Sequence, residues 1–249
     1  MYKGMYIAAS GALQRSQEMD TIANNLANVN TNGFKRNKQS ARFYPVLEGT
    51  ARQSSALYPN ARGMTSAGTF AIDTAPGAYQ FTGNPLDLAL SGDTFFAVEK
   101  NGTTFYTRSG NFTLDREGFV STQDGYKLVD RGNQPIVIDN TEGAVSVSGD
   151  GIIYLLNVQQ KSNTLVAEIK ITKLADIQHA GGSLYTGTEV ETTDFDVSQG
   201  VVERSNVSPV SETIAMINAQ RQFEMAQKVV QNFDELAQKA LSALASVTA

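Results

Sequence analysis

Few residues in this chain could do chemistry. The one histidine, His179, sits in IQHAGG, and two carboxylate pairs, Glu189 with Glu191 and Asp194 with Asp196, lie two positions apart. An imidazole moves protons near neutral pH. Residues two apart share one face of a strand, where paired carboxylates can hold calcium or divide acid and base work. Neither arrangement has the rest of a site around it. His179 reads as a solvated loop side chain with no Ser/His/Asp set to join, and the carboxylates read as an exposed acidic strand face. Without cysteine there is no thiolate ligand, cysteine nucleophile or disulfide. Phosphate-binding glycine loops and EF-hand spacing are missing from the sequence, and DGYKLVDRGNQP is turn chemistry. The residues therefore point to no catalysis, no cofactor and no metal.

Aromatic side chains offer a second kind of chemistry. Phe95, Phe96, Phe105, Tyr106, Phe112 and Phe119 fall in β-type runs, where aromatic rings serve core packing. A sugar-stacking platform on such strands, as in a carbohydrate- or peptidoglycan-binding module, is the alternative reading.

The remaining polar oddity is IANNLANVNTNGFK, which places Asn24, Asn25, Asn28, Asn30 and Asn32 within nine positions. Asparagine costs roughly 0.5 to 0.7 kcal/mol against alanine inside a helix. Asn28 to Gly33 suits helix termination, since Asn and Gly tolerate left-handed backbone. Asn24 and Asn25 lie a turn further in. With Asn28 they form a polar stripe, placed to hydrogen-bond to a neighbouring subunit and fix its register.

Two long elements must carry these residues. At the C-terminus Met216, Ala219, Phe223, Ala226, Val230, Phe233, Ala237, Ala240, Leu244 and Val247 recur in 3,4 alternation, a heptad seam. Ser208 then Pro209, with Glu212 following, marks the start of a helix over Pro209–Val247, roughly 58 Å long. Near the N-terminus Met5, Ala9, Ala12, Ser16, Met19, Ala23 and Leu26 follow the same rule, with Tyr6, Leu13, Ile22 and Val29 widening the face. A helix over residues 3–28 spans only about 39 Å. That leaves about 19 Å of apolar seam uncovered, so coiled-coil packing between molecules is expected.

Between the ends the pattern changes to short strands. Glycines recur every seven to ten residues from Gly92 to Gly132, with turn signals at Asn101, Ser109, Arg116 and Asp124, and this predicts an all-β module. The expected fold is mixed α and β and multi-domain, with the terminal helices forming a coiled-coil domain around a central all-β module. Its parts are residues 1–35 (N-terminal helix), 36–75 (extended linker), 76–183 (β-rich domain), 184–207 (returning linker) and 208–249 (C-terminal helix). The linker 36–75 is rich in small and hydroxyl residues, and Pro45 and Pro59 break any helix.

Charge bears on partners. The net charge is −5; residues 1–40 contribute +3 and residues 203–249 contribute −1, which leaves −7 in the middle. An acidic middle disfavours nucleic acid and anionic membranes. No run of 18 apolar residues predicts a membrane span, and the N-terminal residues lack the apolar core of a cleaved export signal.

Three stretches together carry a resemblance. AASGAL (residues 8–13), Asp20 and IANNLANVNTNGFKR (22–36) open the chain; VVERSNVSPVSETIAMINAQRQFE (201–224) closes it. With NPLDLALSGDTFFAVEKNGTTFYTRSGNFTLDREGFVSTQDGY between them, they resemble, in the same order, the bacterial flagellar axial proteins of the rod and hook. One departure is Thr94, where the family usually has glycine. The resemblance implies a structural subunit of the basal-body rod in the periplasm, assembling with copies of itself and neighbouring rod proteins and transmitting torque from motor to hook. It implies export through the flagellar type III apparatus without a cleaved signal, and contact with surrounding ring proteins. FTGNPLDLAL and the short linker favour the proximal rod type, with the distal type as alternative. The expected assembly interface comprises Met5, Ala9, Ala12, Met19, Ile22, Asn24, Asn25, Leu26, Asn28, Gly33, Phe34, Met216, Phe223, Ala226, Val230, Phe233 and Leu244.

Overall fold

The computed structural model of the protein describes residues 2–46, 62–138, 143–157 and 162–247. The chain divides into two compact units, each built from separate stretches. The first holds Met1–Leu26, Asn37–Ala71 and Pro209–Ala249, and the second holds Ala27–Arg36 and Ile72–Ser208.

In the first unit, α1 (Tyr2–Ala27) and α2 (Pro209–Val247) accompany a two-stranded sheet of β1 (Asn37–Val46) and β2 (Arg62–Ile72). Pro209 opens α2 where its missing N–H costs nothing, and Glu212 sits in the first turn, favourably placed for the helix dipole. The two helices run antiparallel: the Asn25 amide lies 3.4 Å from the Glu212 carboxylate, and a Cβ on Gly4 would come within 2.7 Å of the Phe233 ring. From Phe233 to Val247, α2 continues for about 21 Å beyond the level of Gly4.

The terminal helices fit the expected fold class; the coiled-coil domain does not appear. Interlocking seams require the apolar rows of both helices to face each other. On α1 the expected row is rotated away: Ala9 and Ala23 are exposed, while the buried residues are Gln14, Ile22 and Asn25. The half-buried Gly4, Ala8 and Gly11 continue that line, one residue and about 100° from the expected row. At Gly4 the missing side chain lets the Phe233 ring of α2 come close. On α2, Ala219 is the buried apolar residue among the described ones, and Val210, Ile214, Ile217, Met225, Val229 and Leu236 are exposed. The chain is predominantly β, and a barrel-like sheet dominates it.

That sheet lies in the second unit. Its strands are β3 (Tyr79–Phe81), β4 (Leu88–Leu90), β5 (Thr94–Lys100), β6 (Thr103–Thr107), β7 (Thr113–Leu114), β8 (Val120–Ser121) and β9 (Lys127–Leu128). They are followed by β10 (Ala144–Val147), β11 (Ile152–Asn157), β12 (Ser162–Glu168), β13 (Ile171–Gly181), β14 (Leu184–Val190), β15 (Val197–Gln199) and β16 (Val201–Glu203). Seven of these form one sheet in the order β13-β14-β6-β5-β9-β8-β7, and an added β13–β5 pairing closes the first four strands into a ring. Closure removes two exposed edges.

The central strand β5 shows why the sequence folds this way. Alternation sends Phe96 and Val98 into one core with Leu88, Phe112, Leu128 and Ile153, and sends Phe95 and Ala97 into a second core with Tyr106, Leu174 and Tyr185. Both faces of TFFAVEK are therefore dry. Three of the six aromatics considered for sugar stacking, Phe95, Phe96 and Phe112, are fully enclosed, so they form no external platform.

Candidate assembly site

Two arrangements bring the motif residues together, one in each unit. In the second unit, NTNGFK ends inside the β structure. Gly33 has φ 67°, and a Cβ there would meet the Ser109 nitrogen at 2.2 Å, so only glycine fits both the turn and the approach. Phe34 and Lys35 follow, each 1 % exposed. The Tyr185 hydroxyl accepts the Lys35 N–H at 2.8 Å and reaches the Gly33 carbonyl at 3.4 Å.

Beneath this turn lies a charge cluster. The Lys35 ammonium is 2.7 Å from one Glu203 oxygen and the Arg108 Nε is 2.5 Å from the other, with all three side chains 1 % exposed. A buried carboxylate is tolerated only when its lone pairs are met, and the Gly77 N–H supplies a further donor at 2.8 Å. Two cations face one anion, so backbone carbonyls complete the arrangement. Lys35 donates to Thr74 and Ala75, and Arg108 donates to Leu90 and to the Thr94 carbonyl. Burial pulls the Lys35 ammonium below its usual range, against the raising effect of Glu203. Thr94 fits where the family glycine was expected: its backbone has no positive φ, its hydroxyl bonds the Ser91 carbonyl at 3.0 Å, and its own carbonyl serves Arg108.

Asn206 extends the same stitching. Its side-chain oxygen accepts the Arg36 N–H at 2.8 Å and its amide donates to the Asp73 and Ala75 carbonyls at 2.9 Å. The sequence reading missed Lys35, Arg108, Tyr185, Glu203 and Asn206 as a group. For Lys35, Glu203 and Asn206 the signal was present in GFK and VVERSN, where ionic and amide residues stand beside apolar ones; Arg108 and Tyr185 lie outside both motifs.

In the first unit the asparagine run finds its partners. Asn25, 1 % exposed, accepts the Asn37 N–H at 2.9 Å and donates to the Asn37 carbonyl at 3.0 Å, so one amide closes both backbone groups at the start of β1. Asn24 is exposed, 3.5 Å from the Asn37 amide. Asn28, already in the second unit at the head of the following turn, accepts the Thr31 hydroxyl at 3.2 Å. Of the other expected interface residues, Ile22 is buried, Met5, Ala12, Met19 and Leu26 are half-buried, and Ala9 is exposed. Met216, Phe223, Ala226, Val230 and Phe233 form one half-buried line along α2. The Leu244 side chain lies outside the described residues.

His179 is placed in β13 rather than a loop, its ring 5.3 Å from Phe34 and 4.8 Å from Tyr185. Burial lowers its pKa, which the Lys35 backbone partly offsets. Glu189 receives Lys170 at 2.7 Å and the Tyr106 hydroxyl at 2.6 Å; burial would raise its pKa, but these two bonds hold it lower. Neither residue has the geometry of a reaction centre.

Comparison with known proteins agrees with this picture. Residues 5–35 match the family described as flagella basal body rod protein, 89–155 the flagellar hook protein FlgE/F/G D1 domain, and 198–243 the flagellar basal body rod FlgEFG protein C-terminal. Across 99% of its length the chain is 33% identical to the flagellar basal-body rod protein FlgF of Caulobacter vibrioides, covering 100% of that protein. This chain belongs to the flagellar basal-body rod protein family. It is likewise 31% identical to FlgF of Escherichia coli (96% of this chain, 97% of the relative) and 30% to FlgG of Bacillus subtilis (96% and 98%). Membership makes it a structural protein of the flagellar basal body, not an enzyme. The charge cluster takes one residue from each matched segment: Lys35 from the rod-protein segment, Arg108 from the D1 segment and Glu203 from the C-terminal segment.

Proposed function

We propose that this rod protein is a proximal-rod subunit that polymerises through α1 and α2 into a tubular axial structure carrying torque from motor to hook. The observation that carries this reading is the apolar surface that α2 leaves exposed. Six large apolar side chains between Val210 and Leu236 are 43% or more exposed, and α2 continues about 21 Å past the level of Gly4. Soluble chains seldom leave so long an apolar stripe bare, and neighbouring subunits of the same chain and adjoining rod proteins supply its cover. The interface is assigned to that exposed α2 face, Val210, Ile214, Ile217, Met225, Val229 and Leu236, and to Met5, Ala9, Ala12, Met19 and Leu26 on α1; the half-buried α2 line from Met216 to Phe233 lies on the opposite side, where Phe233 meets Gly4 of α1. Gly33, Phe34 and Asn25 act at one remove, by fixing the chain where α1 ends. Passage through the type III export apparatus and contact with the surrounding rings belong to the same reading.

The proximal type rests on FTGNPLDLAL and the short linker. Photo-crosslinkers placed at Met225 and Leu26 test the assembly. Products between subunits are expected in intact basal bodies, and crosslinks confined to single chains would refute polymerisation through these helices.

A further inference from the structure

The asparagines after α1 have a role that assembly does not use. Short stretches within residues 30–32, 107–111, 122–126 and 183–184, all in the second unit, line one cleft of 310 Å³. Its lining is nearly free of charge: Asp124 is the one ionisable carboxylate and no lysine or arginine contributes. The side-chain amides of Asn32 and Gln123 and the hydroxyls of Ser183 and Tyr126 form no hydrogen bond with any described residue. The Asn111 oxygen accepts the Ser109 hydroxyl, which leaves the Asn111 amide N–H groups to spare.

Chemistry narrows the occupant. A phosphate or other anion requires a cation in the lining, and the nearby Lys100 is held by the Asp124 carbonyl at 2.6 Å and over the Tyr126 ring at 4.6 Å. A lipid requires apolar walls, yet Leu184 and the Tyr126 ring are the only large apolar surfaces here. An extended peptide would use a strand edge, but the strand residues Thr107 and Leu184 already pair with each other. What remains is a ligand read through side chains alone, rich in hydroxyl and amide groups and uncharged. The volume is at the small end of the range for ligand sites, about 300 to 1,000 Å³; with Lys100 over the Tyr126 ring and Phe105 packed against it at 5.6 Å, recognition falls to the amides and hydroxyls. We infer that this cleft binds a short stretch of neutral, N-acetylated glycan, with Asn32, Asn111 and Gln123 reading hydroxyl and acetamido groups beside the Tyr126 hydroxyl.

The test uses the full chain in dilute solution with chitotetraose, and with maltotetraose as the glycan lacking acetamido groups. Amide chemical shifts are followed up to about 10 mM sugar. The inference expects saturable shifts with chitotetraose at residues 30–32, 122–126 and 183–184, and at least fivefold weaker binding of maltotetraose. Asn32→Ala with Gln123→Ala is expected to weaken chitotetraose binding at least tenfold at an unchanged melting temperature. If that double variant fails to fold, Ser183→Ala and the wild-type shift map decide. No saturation, shifts at other residues, equal binding by the variant, or shifts at these residues that depend on protein concentration without sugar would each overturn it. The last outcome would assign the cleft to a second copy of the chain.

Discussion

Glu203 is the residue on which the second unit turns. Removing its charge strands Lys35 and Arg108 in a dry interior, and breaking a buried pair in this way costs about 3 to 5 kcal/mol. Glu203→Gln should lower the urea midpoint of the β unit accordingly, measured by tyrosine fluorescence; an unchanged midpoint would show that the backbone carbonyls suffice. Gly33→Ala adds backbone strain of about 1 to 3 kcal/mol to a collision with Ser109 and should lower the same midpoint. His179 gives a pH effect whose sign is fixed. Its pKa is lower in the fold than the value of about 6.5 in an unfolded chain. The unfolded state therefore binds more protons once pH drops below about 6.5, so stability is full above that point and declines as pH falls towards the folded value. His179→Phe should flatten the acid side of a melting-temperature profile between pH 7.5 and 5, and a profile identical to that of the unaltered chain would remove His179 from the account. At this scale the sequence was partly legible. The motifs containing Gly33, Lys35 and Glu203 stood out, but isolated charges in a linear string read as solvated because their partners lie far along the chain.

Among elements, α2 was the most legible, since the 3,4 spacing and the Ser208-Pro209 start reproduce its bounds, Pro209–Val247. The facing of α1 was not. Apolar periodicity marks Met5, Ala9 and Ala12, yet the buried residues are Gln14, Ile22 and Asn25, and the close approach of α2 falls at Gly4, where a missing side chain admits Phe233. Gly4→Leu should therefore push Phe233 out of place and loosen the helix pair, seen as faster amide exchange across residues 226–233, with the β unit unaffected. The β1 and β2 pair was also hidden: ARFYPV and RGMTSAGTFAI mix small and polar residues with little alternation, so strand and linker look alike. Deleting α2 after Phe233 should spare the melting of the β unit and abolish incorporation into rods, scored by basal-body purification. Normal incorporation would show that the overhang is dispensable.

For the whole molecule, the β character of the middle was readable from its evenly spaced turns, whereas the ring closed by β13 on β5 was not, because that contact joins strands separated by most of the module. In dilute monomer, hydrogen exchange should be slow through β5, β6 and β13 and fast along α2, and polymerisation should slow the latter; equal protection in both states would contradict assembly through the helices. The Lys35–Glu203 bond spans 168 positions of sequence. A polypeptide delivered through a narrow conduit one end at a time holds only half of this lock until nearly all of it has emerged. Under the type III export proposed above, the β unit would therefore close on the far side of the channel only once residue 203 has emerged.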